Sequence, residues 1–252
     1  MNSQLRRKFI LEKLAETDEI NVRALAQQAG TSGITIRRDL AWLATQGFLQ
    51  RTHGGAVRAD TLPVARFDQK QDRRAEQKAS IGQFAASFVL DHDVIFMDCG
   101  STVFAMCAHL RQRISLKIIT NSLPVALAFL DCPHISLNLI GGELDAARQA
   151  VHGQMALEHI ARYRARKAFL GVDGLSLASG LTAQSEKEAA MTQAMAGQSA
   201  ETFLLCDSSK LERDSYLKFA PLALAQHILT DLQVPDEVLR RYVEAGVDLR
   251  RA

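Results

Sequence analysis

The sequence predicts an α/β protein in three parts: a winged helix-turn-helix over residues 1–58, a linker over 59–74, and a mostly parallel α/β sheet domain over 75–252. Three observations carry this. Apolar residues recur with helical spacing through the first quarter and are interrupted by Gly30. Short β-prone runs flank Gly54-Gly55, the pattern of a hairpin. From residue 93 onward, runs of Val, Ile, Leu and Phe alternate with helical stretches, which argues for a parallel sheet covered on both faces.

The first helix is expected from Ser3 to Ala15, with Ile10, Leu11 and Leu14 inward. Asn21 is a favourable N-cap for a second helix carrying Val22, Leu25, Ala26 and Ala29 at i, i+3, i+4 and i+7. Gly30 suits a left-handed residue after that helix, and Thr31 or Ser32 caps the third. In the third helix Ile36, Leu40 and Leu43 stack at i, i+4 and i+7, while Thr35, Arg37 and Arg38 point elsewhere. That helix is expected to end near Gln46-Gly47, before a hairpin wing over 48–58. Pro63 and a polar, aperiodic stretch mark 59–74 as linker. Strands are expected at 93–98, 116–120, 135–140, 167–172, 202–206 and 227–231, with helices at 102–111, 123–131 and 185–198.

Bulk properties narrow the function classes. With 252 residues, 47% hydrophobic and 23% charged, the chain can bury a substantial core. Residues 1–58 hold nine Arg/Lys against five Asp/Glu, and the rest 21 against 23, so a basic module precedes a mildly acidic body. Cys99, Cys107, Cys132 and Cys206 sit singly in apolar surroundings without C-x-x-C spacing, as buried thiols in a reducing compartment would. Neither a disulfide framework nor a zinc site is expected, and no cofactor or catalytic set. No apolar run is long enough for a membrane span, and a cytoplasmic protein is expected.

A helix offering paired arginines, followed by a basic hairpin, suits a duplex: the helix enters the major groove and the wing follows the backbone. Arg37 and Arg38 are the expected base-edge or phosphate donors. Ser32 and Thr35, near the helix start, are expected to contact phosphate or base, and Arg51 and His53 in the wing would grip phosphates and fix the register. The competing reading makes Arg37 and Arg38 a solvated face paired with Asp39 and nearby acids.

Arg7 to Ala56 resembles the winged helix-turn-helix of the DeoR family of bacterial transcriptional regulators. The resemblance is carried by Ser32, Thr35-Ile36-Arg37-Arg38-Asp39-Leu40, Leu43, Gly47, Leu49, Arg51 and His53-Gly54-Gly55-Ala56. Two positions depart from it: Thr31 stands where valine is usual, and Gly33 where a better helix former is common. Glycine in the first turn costs up to ~1 kcal/mol relative to alanine, so a late helix start is expected.

In the body, Asp98-Cys99-Gly100-Ser101-Thr102 follows an expected strand and opens an expected helix, a setting suited to an anion. Polar or glycine-rich turns recur at Thr120-Asn121-Ser122, Gly141-Gly142-Glu143, Gly171-Val172-Asp173-Gly174 and Asp207-Ser208-Ser209-Lys210. Ligands of open α/β sheets bind off the carboxyl ends of strands, so these turns form one expected crevice for a small anionic ligand.

The same stretches resemble the family's C-terminal effector domain, itself similar to ribose-5-phosphate isomerase, whose members sense phosphorylated sugars or sugar derivatives. The resemblance implies that Asp98, Gly100, Ser101 and Thr102 hold the phosphate end. Thr120, Asn121, Gly141, Gly142, Asp173, Thr182 and Lys210 would then line the polyol end. Departures are Thr192-Gln193 where Lys-Arg is frequent, and Leu211 where Phe commonly follows the lysine.

An isomerase could use Asp173, Glu188 and Lys210 as acid–base groups. The similar isomerases carry Asp-Gly-x-Asp, however, and Ser176 stands in place of the second carboxylate. A sensor that binds without turnover is therefore expected, and an architectural DNA-packaging protein fits the modest charge worse. The expected mechanism is an allosteric repressor that pairs as a dimer or tetramer on half-sites of double-stranded operator DNA, with effector and DNA weakening each other.

Overall fold

A computed structural model describes residues 3–17, 19–45, 49–52, 54–58 and 67–252. The chain divides into two units, Met1–Arg66 and Phe67–Ala252. The first contains α1 (Ser3–Thr17), β1 (Glu19–Asn21), α2 (Val22–Gln28), α3 (Gly33–Thr45), β2 (Leu49–Arg51) and β3 (Gly55–Arg58). Ile10, Leu14, Leu25, Ile36, Leu40 and Leu43 form its buried centre, as their helical spacing requires.

Local chemistry sets the helix ends. Asn21 Oδ1 accepts the Arg23 N–H at 2.8 Å and starts α2. Gly30, at φ +59°, ends it: the Gly30 and Thr31 N–H groups donate to the Gln27 and Ala26 carbonyls at 3.3 and 3.0 Å. α3 begins at Gly33 rather than later. Ser32 Oγ accepts the Thr35 N–H at 3.2 Å and offsets the propensity cost of the glycine. β2 and β3 pair antiparallel as the wing. The unexpected β1 pairs with the other side of β3; its three residues are too few to show a period of two.

The second unit opens with α4 (Phe67–Asp72) and α5 (Ala75–Ala86). α4 falls inside the segment expected as linker, and Phe67 is buried. There follow β4 (Val94–Met97), α6 (Ser101–Phe104), α7 (Cys107–Leu110), β5 (Lys117–Thr120), α8 (Leu123–Ala128) and β6 (Ser136–Leu139). Next come β7 (Glu143–Asp145), β8 (Ala150–His152), α9 (Gln154–Ile160), β9 (Ala165–Gly171), β10 (Gly174–Ser176), β11 (Gly180–Ala183) and α10 (Glu186–Gly197). The unit closes with β12 (Ser199–Leu205), β13 (Leu217–Ala220), β14 (His227–Thr230), α11 (Asp236–Glu244) and β15 (Leu249–Arg251).

Seven strands form one parallel sheet in the order β15-β14-β12-β9-β4-β5-β6. All six expected strands belong to it. Alternation sorts their side chains between two apolar layers. Ile95, Met97, Phe169, Phe203 and Leu205 pack with α5 to α8 on one face. Phe96, Ala168, Leu170 and Leu204 pack with α9 to α11 on the other. The helix expected over 102–111 is two short pieces, α6 and α7. β7–β8 form a hairpin, and β10, β11 and β13 a small antiparallel sheet, directly after the turns expected at 141–143 and 171–174.

The chain runs outward from β4 to β6, then returns to β9 on the opposite side of β4 and runs outward again. The topological switch point thus lies between β4 and β9, the default place for a ligand.

Candidate DNA-reading face and effector site

On α3, Arg37 and Arg38 are exposed opposite the buried Ile36 and Leu40. Among the described residues neither makes an ion pair. Asp39, expected as a possible partner, instead turns inward at 3% exposure. Its two oxygens accept Arg6 Nε at 2.5 Å and Arg7 Nε at 3.0 Å, and the Arg7 guanidinium lies 3.9 Å from the Trp42 ring centre. One acid thus ties α1 to α3 and leaves the following face to its arginines. Ser32 Oγ and Thr35 Oγ1 lie 2.9 Å apart, so both hydroxyls serve the helix start. Arg51 is exposed on β2. His53 lies outside the described residues.

At the switch point Asp98 acts as a clasp. Its carboxylate accepts the Gly100 N–H at 2.7 Å and the Gly171 N–H at 2.5 Å, joining the ends of β4 and β9. Burial pushes this carboxyl up to about 6, against the pull of those two donors. A Cβ on Gly100 would come 3.0 Å from Asp98 Oδ1 and 3.4 Å from Gly171 Cα, a tight fit that a side chain could enter only if the Asp98 clasp gave way slightly. The phosphate seat expected from 98–102 is therefore redrawn. Both Asp98 oxygens are spent on backbone, and α6 has only four residues to supply a dipole. Ser101 Oγ donates to the Lys70 carbonyl at 3.4 Å, and Thr102 is buried.

Two expected lining hydroxyls serve the fold instead. Thr120 donates to the Met97 carbonyl at 2.6 Å and accepts the Ser122 N–H at 3.0 Å. Thr182 donates to the Gly174 carbonyl and accepts the Ser215 N–H, both at 2.9 Å. Asn121 is different: its amide donates to the Val151 carbonyl at 3.0 Å, while its buried Oδ1 has no partner among the described residues. Gly141 donates its N–H to His159 Nδ1 at 3.1 Å. Gly141 and Gly142 line a cavity of about 630 Å³ with Glu143, His152 and Arg162, which the other expected residues do not line.

Asp173 is the centre of a charged cluster. It accepts Lys70 Nζ at 3.3 Å and the Gln184 N–H at 3.0 Å. Burial raises this carboxyl, but Lys70 and the other cations outweigh it and hold it below the usual carboxylate range. Lys210 and Lys78 are both drawn down, first by burial, and Lys70 repels each of them. Lys78 donates to the Lys70 and Arg73 carbonyls, and Arg74 Nε lies 3.6 Å from Asp207. Lys70, Lys78 and Lys210 thus crowd one end of the sheet. The first two were missed in the sequence because Lys70 lies in apparent linker and meets Asp173 only across 103 residues.

Further polar groups meet nearby. Arg148 pairs with Glu188, and both side chains are largely buried. Burial pushes Glu188 up to about 7 against the pull of Arg148. Arg148 Nη2 and both ring nitrogens of His152 are buried without a partner among the described residues. One donor atom each from Cys99, His152 and Glu188 lies within 4.8 Å of the other two.

Ser176 does not by itself exclude catalysis, because a carboxylate stands beside it. A carboxylate, Asp214, accepts the Ser176 hydroxyl at 2.7 Å and the Ser179 hydroxyl at 2.5 Å.

Comparison with known proteins follows this two-part geometry. The DeoR-like helix-turn-helix domain matches residues 6–61, and the DeoR C terminal sensor domain matches residues 73–232. The lactose phosphotransferase system repressor of Lactococcus lactis is 32% identical over 96% of this chain and 96% of its own length. The HTH-type transcriptional repressor GlcR of Bacillus subtilis is 30% identical over 95% and 93%. Among solved structures, ribose 5-phosphate isomerase A of Methanocaldococcus jannaschii is similar over 54% of each chain at 20% identity and a TM-score of 0.41, a partial likeness that says nothing about activity. Among the described residues no helix is long and apolar enough to cross a membrane. Helix-turn-helix and sensor domain occur here in the order of one family's two modules, and the chain belongs to the DeoR family of transcriptional regulators.

Proposed function

We propose that this regulator represses a carbohydrate-use operon and leaves its operator when a phosphorylated sugar or sugar derivative enters the switch-point crevice. The observation that carries this reading is the crowding of Lys70, Lys78 and Lys210. Lys78 is buried and Lys70 and Lys210 are half-buried; ammonium groups crowded in this way are stabilised by an anion, and a dianionic phosphate offsets both burial and repulsion. Ser101 and Thr102 would then serve the phosphate, while Asp173, Asn121 Oδ1 and Arg148 Nη2 meet hydroxyls, as neutral or oppositely charged partners do. Asp98, Gly100, Thr120 and Thr182 shape the site from behind, while Gly141 and Gly142 line the neighbouring cavity.

Transmission runs through α4. This helix follows the 59–66 segment and carries Lys70 on Asp173, Phe67 edge-on to Phe104 at 5.4 Å, and the Phe67 N–H on the Ala147 carbonyl at 3.0 Å. A ligand that separates Lys70 from Asp173 shifts the chain leading to the wing domain, and by linkage effector and DNA oppose each other. Self-association into a dimer or tetramer places two copies of α3 on successive half-sites. Binding proceeds without turnover.

A thermal-shift screen of pentose, hexose and polyol phosphates against the purified chain tests the reading. One member should raise the melting temperature in proportion to the logarithm of its concentration, and Lys210→Met should abolish the rise. Steady conversion of a sugar phosphate to product contradicts it.

A further inference from the structure

We infer that Cys99, His152 and Glu188 form a binding site for a divalent ion of borderline softness, Zn²⁺ being the best fit. The sequence excludes zinc on spacing alone, since no C-x-x-C occurs and the three residues lie far apart. Folding brings them together: the turn after β4, the end of β8 and the first turn of α10 each contribute one donor, all within 4.8 Å of one another. Thiolate, imidazole and carboxylate are the ligands of open zinc sites, and three protein donors leave room for a water or an effector oxygen. Magnesium and calcium, which take oxygen ligands, do not suit a thiol.

His152 supplies the independent observation. Its ring is 2% exposed and neither nitrogen has a partner among the described residues. Buried imidazoles normally spend both nitrogens, and here one is left facing a thiol and a carboxylate. Glu188 gives Arg148 one oxygen and keeps the other. Two negative ligands, thiolate and carboxylate, match the ion, while Asp98 and Asp173, which act on Cys99 and Glu188, balance Arg148. Binding exchanges the thiol proton for the metal: the S–H bond breaks, the S–metal bond forms, and one proton leaves to solvent without any change of oxidation state.

The site adjoins the effector reading, since Arg148 pairs with Glu188 and Lys70 acts on both Cys99 and Glu188, but its three donors are not the lysine cluster and its readout is metal uptake, so the two can be told apart. Chelator-stripped full-length protein is titrated with Co²⁺ and with Zn²⁺. One equivalent per chain is expected, with a thiolate-to-cobalt charge-transfer band that Zn²⁺ displaces. Cys99→Ser should abolish the band, and His152→Asn and Glu188→Gln should each weaken binding at least ~100-fold with circular dichroism unchanged. Should His152→Asn misfold, Cys99→Ser and Glu188→Gln still decide. Absence of the band in the unmodified protein, or equal Zn²⁺ uptake by all variants, overturns the site. The sugar-phosphate thermal shift repeated with stripped protein completes the test: a shift that persists while the cobalt band is absent removes the metal and keeps the effector reading. An intact band with no shift from any sugar phosphate, even in metal-loaded protein, removes the effector reading and keeps the metal.

Discussion

The two units handle charge in opposite ways. The DNA-binding unit buries one carboxylate, Asp39, gives it to Arg6 and Arg7, and leaves Arg37 and Arg38 outside. The sensor unit draws charge inward: Lys78, Lys167, Arg148, Asp93, Asp98 and Asp207 are all buried. A surface that reads DNA needs mobile, hydrated cations meeting phosphate and base edges. A pocket that selects one small solute needs groups that have already lost their water, so that the correct ligand alone repairs the loss. Exposure serves the first task and burial the second.

Native probes separate the units. The single tryptophan, Trp42, lies in the first, and all three tyrosines, Tyr163, Tyr216 and Tyr242, lie in the second. Trp42 fluorescence and tyrosine near-ultraviolet circular dichroism therefore follow each unit within the full chain.

The largest expected effect is on DNA. Replacing both Arg37 and Arg38 with alanine should lower operator affinity by about 4 kcal/mol, at roughly 2 kcal/mol per specific contact. Fluorescence anisotropy would measure the loss, with the Trp42 transition unmoved. An unchanged affinity would turn α3 away from the groove.

Next is Asp93, whose carboxylate accepts Lys167 Nζ at 2.7 Å. Burial raises this group, but the hydrogen bonds from Lys167 and Leu90 outweigh it and hold it below the ordinary carboxylate value. A depressed folded value contributes stability that is present above the unfolded value near ~3.9 and is lost as pH falls through the folded one. Asp93→Asn should cost the tyrosine transition about 3 kcal/mol at neutral pH, because it strands a buried ammonium. The gap from the unmodified protein should narrow on acidification below about pH 4. A constant gap would contradict the ion pair.

Asp39→Ala should lower the Trp42 transition by about 2 kcal/mol, less than a sealed pair would cost, because Arg6 and Arg7 retain contact with water. It should leave the tyrosine signal alone. The smallest effect is Asn21→Ala, which removes the cap of α2 and should cost about 1 kcal/mol on the same Trp42 signal.

What the sequence reveals follows the reach of its interactions. α1 to α3 and the wing rest on local signals: the Asn21 cap, left-handed Gly30, and the Ile36–Leu40–Leu43 stripe. Five of the six expected strands lie inside the sheet and show as apolar runs because both of their faces are covered; β6, at its edge, is only partly buried. β1, β7, β10 and β15 span three residues each, too short for any period to register. α4 is hidden by its polar composition, FDQKQD, although Phe67 and Lys70 hold it to the body. In the candidate site the residue types in the turns are visible, but their allegiance is not. Nothing local distinguishes Thr120, bonded on both sides, from Asn121, whose oxygen is unpaired among the described residues. Arg148, His152 and Lys70 enter only through contacts spanning tens of residues.

The central claim, that anion binding at the lysine cluster governs DNA binding through Lys70, is tested most directly by operator release. A labelled duplex selected by the protein from a random pool is bound, and the anisotropy is followed while the sugar phosphate found by thermal shift is added. The unmodified protein should release the duplex; Lys70→Met should bind it with equal affinity and keep it bound at effector concentrations that empty the parent. Release of both proteins at the same concentration would contradict the account.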